Sequence, residues 1–279
     1  MSGTLPDDDD GFARLPGGGV IAYQVRGRRR ANTPVLLIRP LGGSMALWGS
    51  FRTALAEQHR VVSFDHPGCG RSSLVWTSVT TRGLAACAAR VLDHLAIPRA
   101  HVFGISLGGM AATWLGVDRA RVVSLCLAST PARGIEFNRA GLRRELGLAA
   151  CLARPEEEVE AALVHRVLSR RFREVEPEAV RNIERQLRAT APTSRRALVM
   201  HAVAGLLHDA RGKLQLIEAP TLVLAAQNDT LLGVTAPREL ADDIPGSVFE
   251  VVPCSGHDLT LERPHVTAAR VADFFHSVA

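Results

Sequence analysis

Among the residues able to do covalent chemistry, Ser106 has a distinctive setting, inside Gly104-Ile105-Ser106-Leu107-Gly108. An apolar run with strand character, Ala100-His101-Val102-Phe103, leads into it, and a small-residue helical pattern through Met110, Ala111, Ala112 and Leu115 follows. A chain that turns from strand to helix within a residue or two holds the residue between them in a strained conformation. Only tiny neighbours accommodate that turn, and Gly104 and Gly108 supply the room. The hydroxyl is lifted clear of the sheet and set at a helix N-terminus, where free N–H groups favour negative charge on a substrate oxygen. The chemistry implied is attack on a carbonyl by an activated hydroxyl. Gly-x-Ser-x-Gly by itself also fits an ordinary surface turn; the strand before it and the helix after it separate the two readings.

The elements that must position such a serine are legible on both sides of it. Residues 1–11 are polar and acidic and predict a disordered N-terminus. Phe12 to Leu15, the turn Pro16-Gly17-Gly18-Gly19 and Val20 to Val25 predict a β-hairpin. Pro34-Val35-Leu36-Leu37-Ile38 is continuously apolar, as a strand covered on both faces must be, and Ser44 to Glu57 has helical spacing through Leu47, Phe51 and Leu55. Strand and helix then repeat at 60–65 and 80–95, and strands return at 100–105 and 122–128. This alternation predicts a parallel sheet. From about Ala132 to Gly212 no strand-like run occurs, and charged helical segments separated by Pro155, Pro177 and Pro192 take over. Strands resume at 220–226 and 248–252, and a helix over 263–278 closes the chain. The expected division is a core of residues 12–131 and 213–279 with a helical cap, 132–212, inserted into it.

The whole pattern resembles the α/β-hydrolase fold family over almost the full chain. The resemblance rests on the Ser106 motif, on Asp65-His66-Pro67-Gly68-Cys69-Gly70-Arg71-Ser72 as a D-x-x-G-x-G-x-S loop, on Gln227-Asn228-Asp229 at a strand end and on Ser255-Gly256-His257 after the last strand. It implies an α/β fold with a mostly parallel eight-stranded sheet flanked by helices and an all-helical cap. Leu41-Gly42-Gly43-Ser44-Met45-Ala46-Leu47-Trp48 and the Asp65 loop look most like 3-oxoadipate enol-lactone hydrolases, although Arg39-Pro40 stands where the wider family carries His-Gly.

The resemblance implies a triad in the chain order Ser106, Asp229, His257, each at the C-terminal end of a predicted strand, so that parallel strands bring all three to one sheet edge. Ser106 would attack, His257 would carry the proton and Asp229 would orient the imidazole. The N–H groups of Leu41 and Leu107 would bind the oxyanion, each worth about 3 kcal/mol in the transition state. Arg39, Ser44 and Trp48 border that pocket as substrate-contact candidates; Arg39 reads equally as paired to an acid elsewhere, and Trp48, Trp76 and Trp114 read as packing in preference to binding. Asp229 also reads as a turn cap, and Asp258, adjacent to His257, cannot easily fold back to orient it. His59, His66, His94, His208, His265 and His276 read as solvated loop residues, as His257 itself could, and His165 and His201 as helix-surface residues of the cap. Cys69 and Cys254 lie in loops on the same edge, which leaves a thiol nucleophile conceivable.

Composition narrows the rest. The 279 residues suit one large α/β domain. The net charge of +5 comes from scattered arginines, Lys213 being the only lysine, and the cluster Arg28-Arg29-Arg30 reads as a solvated loop, which argues against nucleic acid. Five cysteines without C-x-x-C spacing indicate neither a disulfide framework nor a zinc site. With acid where a secretory leader needs base and no apolar run long enough to span a bilayer, a cytoplasmic protein without membrane association is expected. No cofactor is implied, the expected partner is a small-molecule substrate, and a homo-oligomer is left open. The reaction expected is hydrolysis of a small ester or lactone through an acyl-enzyme. C–C bond hydrolysis, cofactor-free perhydrolase or haloperoxidase chemistry, and a non-hydrolytic cyclase or receptor on the same scaffold are the alternatives.

Overall fold

The computed structural model describes residues 8–27, 33–75, 80–118, 120–134, 139–190 and 193–278. The Arg28-Arg29-Arg30 cluster, Trp76, Pro192 and residues 1–7 lie outside the described residues. Eight strands form one sheet: β1 (Asp9–Arg14), β2 (Val20–Arg26), β3 (Val35–Ile38), β4 (Val61–Phe64), β5 (Ala100–Ile105), β6 (Val122–Ala128), β7 (Thr221–Ala226) and β8 (Val248–Val252). Their order is β1-β2-β4-β3-β5-β6-β7-β8. The pairs β1/β2 and β2/β4 are antiparallel and all others parallel, so the fold is the mostly parallel α/β sheet expected.

The period-2 rule decides which helices cover which face. Leu36 and Ile38 of β3 and Val102 of β5 pack in one core with α2 (Thr81–His94) and α3 (Leu107–Val117), joined by Leu240 of α9 (Thr235–Asp243). Their neighbours Val35, Leu37, Phe103 and Ile105 point the other way, into a second core with α1 (Gly49–Ala56) and α11 (Pro264–Ser277). Because both faces are covered, β3 is apolar without a break, and β5 is interrupted only by His101, whose Nδ1 lies 2.7 Å from the Ser124 hydroxyl. Between β6 and β7 the chain forms α4 (Arg139–Leu152), α5 (Glu156–Val167), α6 (Arg170–Val175), α7 (Pro177–Arg188) and α8 (Arg195–Leu206). A bridge between Arg133 and Asp209 draws the two ends of this helical segment together. No described helix is long and apolar enough to cross a membrane.

Two expectations need correction. Residues 9–11 are ordered: β1 begins at Asp9, whose carboxylate accepts the Tyr23 hydroxyl at 3.2 Å, while Asp10 pairs with Arg26 at 2.6 Å. The acidic run finds cross-strand partners in β2, which composition alone does not reveal. The helix expected over 44–57 is a 3-10 turn, Met45–Trp48, followed by α1, with Ser44 as its N-cap. The closing helix forms where expected, as α11, with Pro264 at its first position, and a short helix, α10 (Leu259–Glu262), precedes it.

The first turn of α3 is pressed against the end of β3. A Cβ on Gly108 would lie 2.1 Å from the Ile38 carbonyl oxygen, and one on Gly104 would lie 2.5 Å from the Gly108 oxygen. Both obstacles are backbone, so neither can swing aside. Gly108→Ala is therefore expected to destabilise the protein by about 2 kcal/mol or more, measured by urea unfolding; a midpoint within error of the parent protein would contradict this packing.

Candidate active site

Ser106 joins β5 to α3 at φ 54°, ψ −121°. This region is sparsely populated for a side chain with a Cβ and costs about 1–3 kcal/mol, which the surroundings must offset. They do so from three sides: Ser106 N–H donates to the Ala128 carbonyl at 2.9 Å, and the Ser106 carbonyl accepts from Met110 N–H at 3.0 Å and from the Thr130 hydroxyl at 2.8 Å. Leu107 is the first residue of α3, so its N–H has no acceptor within the helix.

The two other triad candidates arrive from the ends of β7 and β8. Asp229 uses its carboxylate oxygens separately: Oδ1 accepts the N–H groups of Leu231 and Leu232 at 2.8 and 3.0 Å, and Oδ2 lies 2.8 Å from His257 Nδ1. The turn-cap reading and the imidazole-partner reading are both satisfied by one residue. His257 Nε2 lies 2.8 Å from Ser106 Oγ. The loops carrying Asp229 and His257 are bonded to each other, Asn228 N–H to the Ser255 carbonyl at 2.8 Å and Cys254 N–H to the Gln227 side-chain oxygen at 2.8 Å. Gly256 permits the close approach of this loop to the helical segment, where Glu262 Oε1 and Ser169 N would lie 2.3 and 2.5 Å from a Cβ. Glu262 in turn accepts both the N–H and the hydroxyl of Ser169.

Burial alone pushes the His257 pKa down. The charge and hydrogen bond of Asp229 and the charge of Asp258 push it up, Arg166 opposes them, and the net position is above the usual imidazole value.

Above these residues lies a cavity of ≈ 160 Å³. Arg39, Leu41, Ser106, Leu107 and His257 line it from the sheet edge, and Leu148 of α4, Leu163 of α5, Leu187 of α7 and His201 of α8 close it from the helical segment. The structure thus brings Ser106, Asp229, His257, Leu41 and Leu107 together, with Arg39 at the rim.

Ser44 and Trp48 do not contact this cavity, which corrects their assignment as substrate-contact residues. The Ser44 hydroxyl is committed to Asp65 Oδ1 at 3.1 Å and caps the 3-10 turn through Ala46 N–H. That turn drives Trp48 into the core against Phe51 and Phe103, ring centroids 5.5 and 5.8 Å away. Asp65 also accepts from Met45 N–H and Arg71 N–H, and Gly70 is needed because a Cβ there would meet the carboxylate at 2.3 Å. The D-x-x-G-x-G-x-S loop is thereby the clamp that holds the 41–48 loop.

Several histidines are misread by sequence. His59, His66, His201 and His208 are buried, and burial depresses His59, His66 and His208 to about 4 and His201 to about 3. All four are neutral at pH 7. His66 Nε2 donates to the Arg39 carbonyl at 2.7 Å, and His208 Nδ1 lies 2.9 Å from the Thr81 hydroxyl. Cys69 is fully enclosed, burial holding its thiol far above the usual value, and it does not line the cavity; a thiol nucleophile there has no access to substrate. Asp258 makes no hydrogen bond to His257, in line with its adjacency; it is the partner of Arg39 at 3.1 Å, a role its sequence position does not suggest. The available signal was a lone arginine directly after a wholly apolar strand, which must find an acid.

The chain as a whole has counterparts among known proteins. Residues 33–264 match the family described as alpha/beta hydrolase fold. The chain belongs to that family. It is 29% identical over 262 residues to 3-oxoadipate enol-lactonase 1 of Acinetobacter baylyi, covering 94% of this chain and 95% of that protein. It is 30% identical to the putative carbamate hydrolase RutD of Caulobacter sp. (strain K31), covering 88% and 91% of the two chains. The crystal structure of a hydrolase from Pseudomonas aeruginosa PA01 superposes with a TM-score of 0.81 at 28% identity, over 96% of this chain and 98% of that one.

The balance around His257 makes a direct prediction. In a histidine-resolved NMR titration, His257 should titrate above 6.5, and Asp229→Asn should bring the midpoint down, since the neutral amide no longer favours the imidazolium. A midpoint that rises or stays fixed in Asp229→Asn would contradict the pairing.

Proposed function

We propose that this protein is a serine hydrolase that cleaves a small ester or lactone through an acyl-enzyme. The hydrogen-bonded chain from Ser106 Oγ through His257 to Asp229 carries the reading: one ring nitrogen faces the hydroxyl at 2.8 Å, the other faces a carboxylate at 2.8 Å. Nδ1–H donates to Asp229, which leaves Nε2 unprotonated and able to take the serine proton. As Ser106 Oγ attacks the carbonyl carbon, its proton passes to Nε2 and the carbonyl oxygen becomes an oxyanion, bonded by the N–H groups of Leu107 and Leu41. Collapse expels the leaving alkoxide or enolate, which takes the proton from Nε2; for a lactone, both halves remain on one acyl group. Water then enters and attacks the acyl carbon as Nε2 takes its proton; the second tetrahedral intermediate breaks its bond to Ser106 Oγ, which takes that proton back, and the acid leaves.

Two features support a small substrate. The cavity of ≈ 160 Å³ is close to the roughly 150 Å³ of an engineered apolar cavity that takes up one benzene ring, and its walls are mainly aliphatic. The relatives named as an enol-lactonase and a putative carbamate hydrolase both act at an acyl carbon bearing a heteroatom, which fits ester or lactone cleavage better than C–C bond cleavage. The protein is proposed to act on a free small molecule in the cytoplasm.

A panel of short p-nitrophenyl esters and 3-oxoadipate enol-lactone tests the proposal. Ser106→Ala should lower kcat by about 10³-fold or more on every accepted substrate while leaving the fold intact by circular dichroism. Turnover that survives this substitution would remove Ser106 as the nucleophile.

A further inference from the structure

Arg39 and Asp258 form an ion pair between residues 219 positions apart, 3.1 Å from Nη2 to Oδ2, with both side chains almost wholly enclosed. Arg39 stands two residues before Leu41, and Asp258 immediately follows His257. Each end is anchored further. The Arg39 carbonyl accepts from His66 Nε2 at 2.7 Å, and the first turn of α3 packs so closely on it that a Cβ on Gly108 would lie 2.4 Å from that oxygen. The Trp48 ring lies 4.7 Å from the guanidinium carbon. At the other end, Asp258 Oδ1 accepts the Thr260 N–H at 3.2 Å and its hydroxyl at 2.5 Å, and Asp258 N–H donates to the Val167 carbonyl at 3.2 Å. One side chain therefore connects the loop beside the Ser106 helix to the loop that carries the imidazole.

Desolvating two charges is costly, and an apolar pair of similar volume would pack as well, so stability does not account for this pair. Resting on the reading of Ser106 as nucleophile, we propose that Arg39 is a positioning residue: through Asp258 it fixes the His257 imidazole relative to the Leu41 N–H, and it offsets part of the carboxylate charge that acts on that imidazole. The groups that act on His257 are Asp229 from the loop after β7, Asp258 from its own loop and Arg166 from α5, with Glu262 of α10 acting on Asp258 from behind. An anion beside an imidazole favours the protonated ring and a cation disfavours it. Removing Arg39 alone must therefore raise the pH at which His257 becomes an active base, and removing the Asp258 charge alone must lower it. A contact that served only packing would not produce opposite shifts.

The test follows inactivation by a fluorophosphonate across pH, which requires no knowledge of the substrate, with peptide mapping of the adduct. The proteins are the parent, Arg39→Met, Asp258→Asn, the double variant and Arg39→Lys. The parent should be labelled at Ser106. Each single variant should react about tenfold more slowly at its pH plateau, because small displacements of reacting groups are costly. The acidic midpoint should move up in Arg39→Met and down in Asp258→Asn, by about half a pH unit or more. In the double variant the midpoint should return toward the parent value while the plateau stays low, and Arg39→Lys should recover part of the plateau. Thermal melts identify any variant that fails to fold, and Asp258→Asn and Arg39→Lys keep the test decisive if Arg39→Met does. Single variants that keep the parent plateau and midpoint, or lose rate with an unmoved midpoint, would overturn the proposal. A parent protein unlabelled at Ser106 would instead remove the underlying reading.

Discussion

A neutral imidazole carries one donor and one acceptor, on opposite sides of a rigid ring, and the site depends on both being engaged at once. His257 meets that demand with 2.8 Å contacts to Asp229 and to Ser106. For this to hold, three loops must end at one point although their residues are 151 and 28 positions apart. The parallel sheet makes that possible: β5, β7 and β8 run the same way, so their C-terminal ends share an edge. The rest of the core serves to keep those strands in register, through one apolar layer on α2, α3 and α9 and another on α1 and α11.

The same requirement explains why local strain is tolerated. Ser106 is held at positive φ because Ala128, Thr130 and Met110 fix its backbone groups, and because Gly104 and Gly108 remove the side chains that would collide. The helical segment contributes the cavity wall and also bears on the histidine loop, through the Ser169 to Glu262 bonds and the Val167 carbonyl. The side of the cavity nearest the base is thus tied to the core.

The features legible in the sequence were those fixed locally. The elbow could be read because steric demand leaves only glycine at 104 and 108, and the alternating strands and helices because their periods differ. The Asp65 loop could be recognised but not explained, since its purpose, gripping Ser44 and Met45, lies across a contact of about twenty positions. Burial of polar residues was the main loss. His66 and His208 sit in loops and His201 within the apolar helix α8, and only the packing around them shows that they are enclosed and neutral. Likewise, the sequence does not pair Arg39 with Asp258, because nothing local joins two residues 219 positions apart. Asp9 and Asp10 resemble a disordered end because composition shows their charge without the partners that β2 supplies.

The central claim, that the convergence at His257 exists to make Ser106 a nucleophile, is most directly examined by acid-quenching the protein during turnover of a p-nitrophenyl ester and locating the acyl group by peptide mass mapping. The account predicts a single acyl adduct on the peptide containing Ser106, formed in the first turnover and lost when excess ester is removed before the quench. Turnover without any acylated peptide, or with the acyl group on Cys69, Cys254 or another residue, would contradict it.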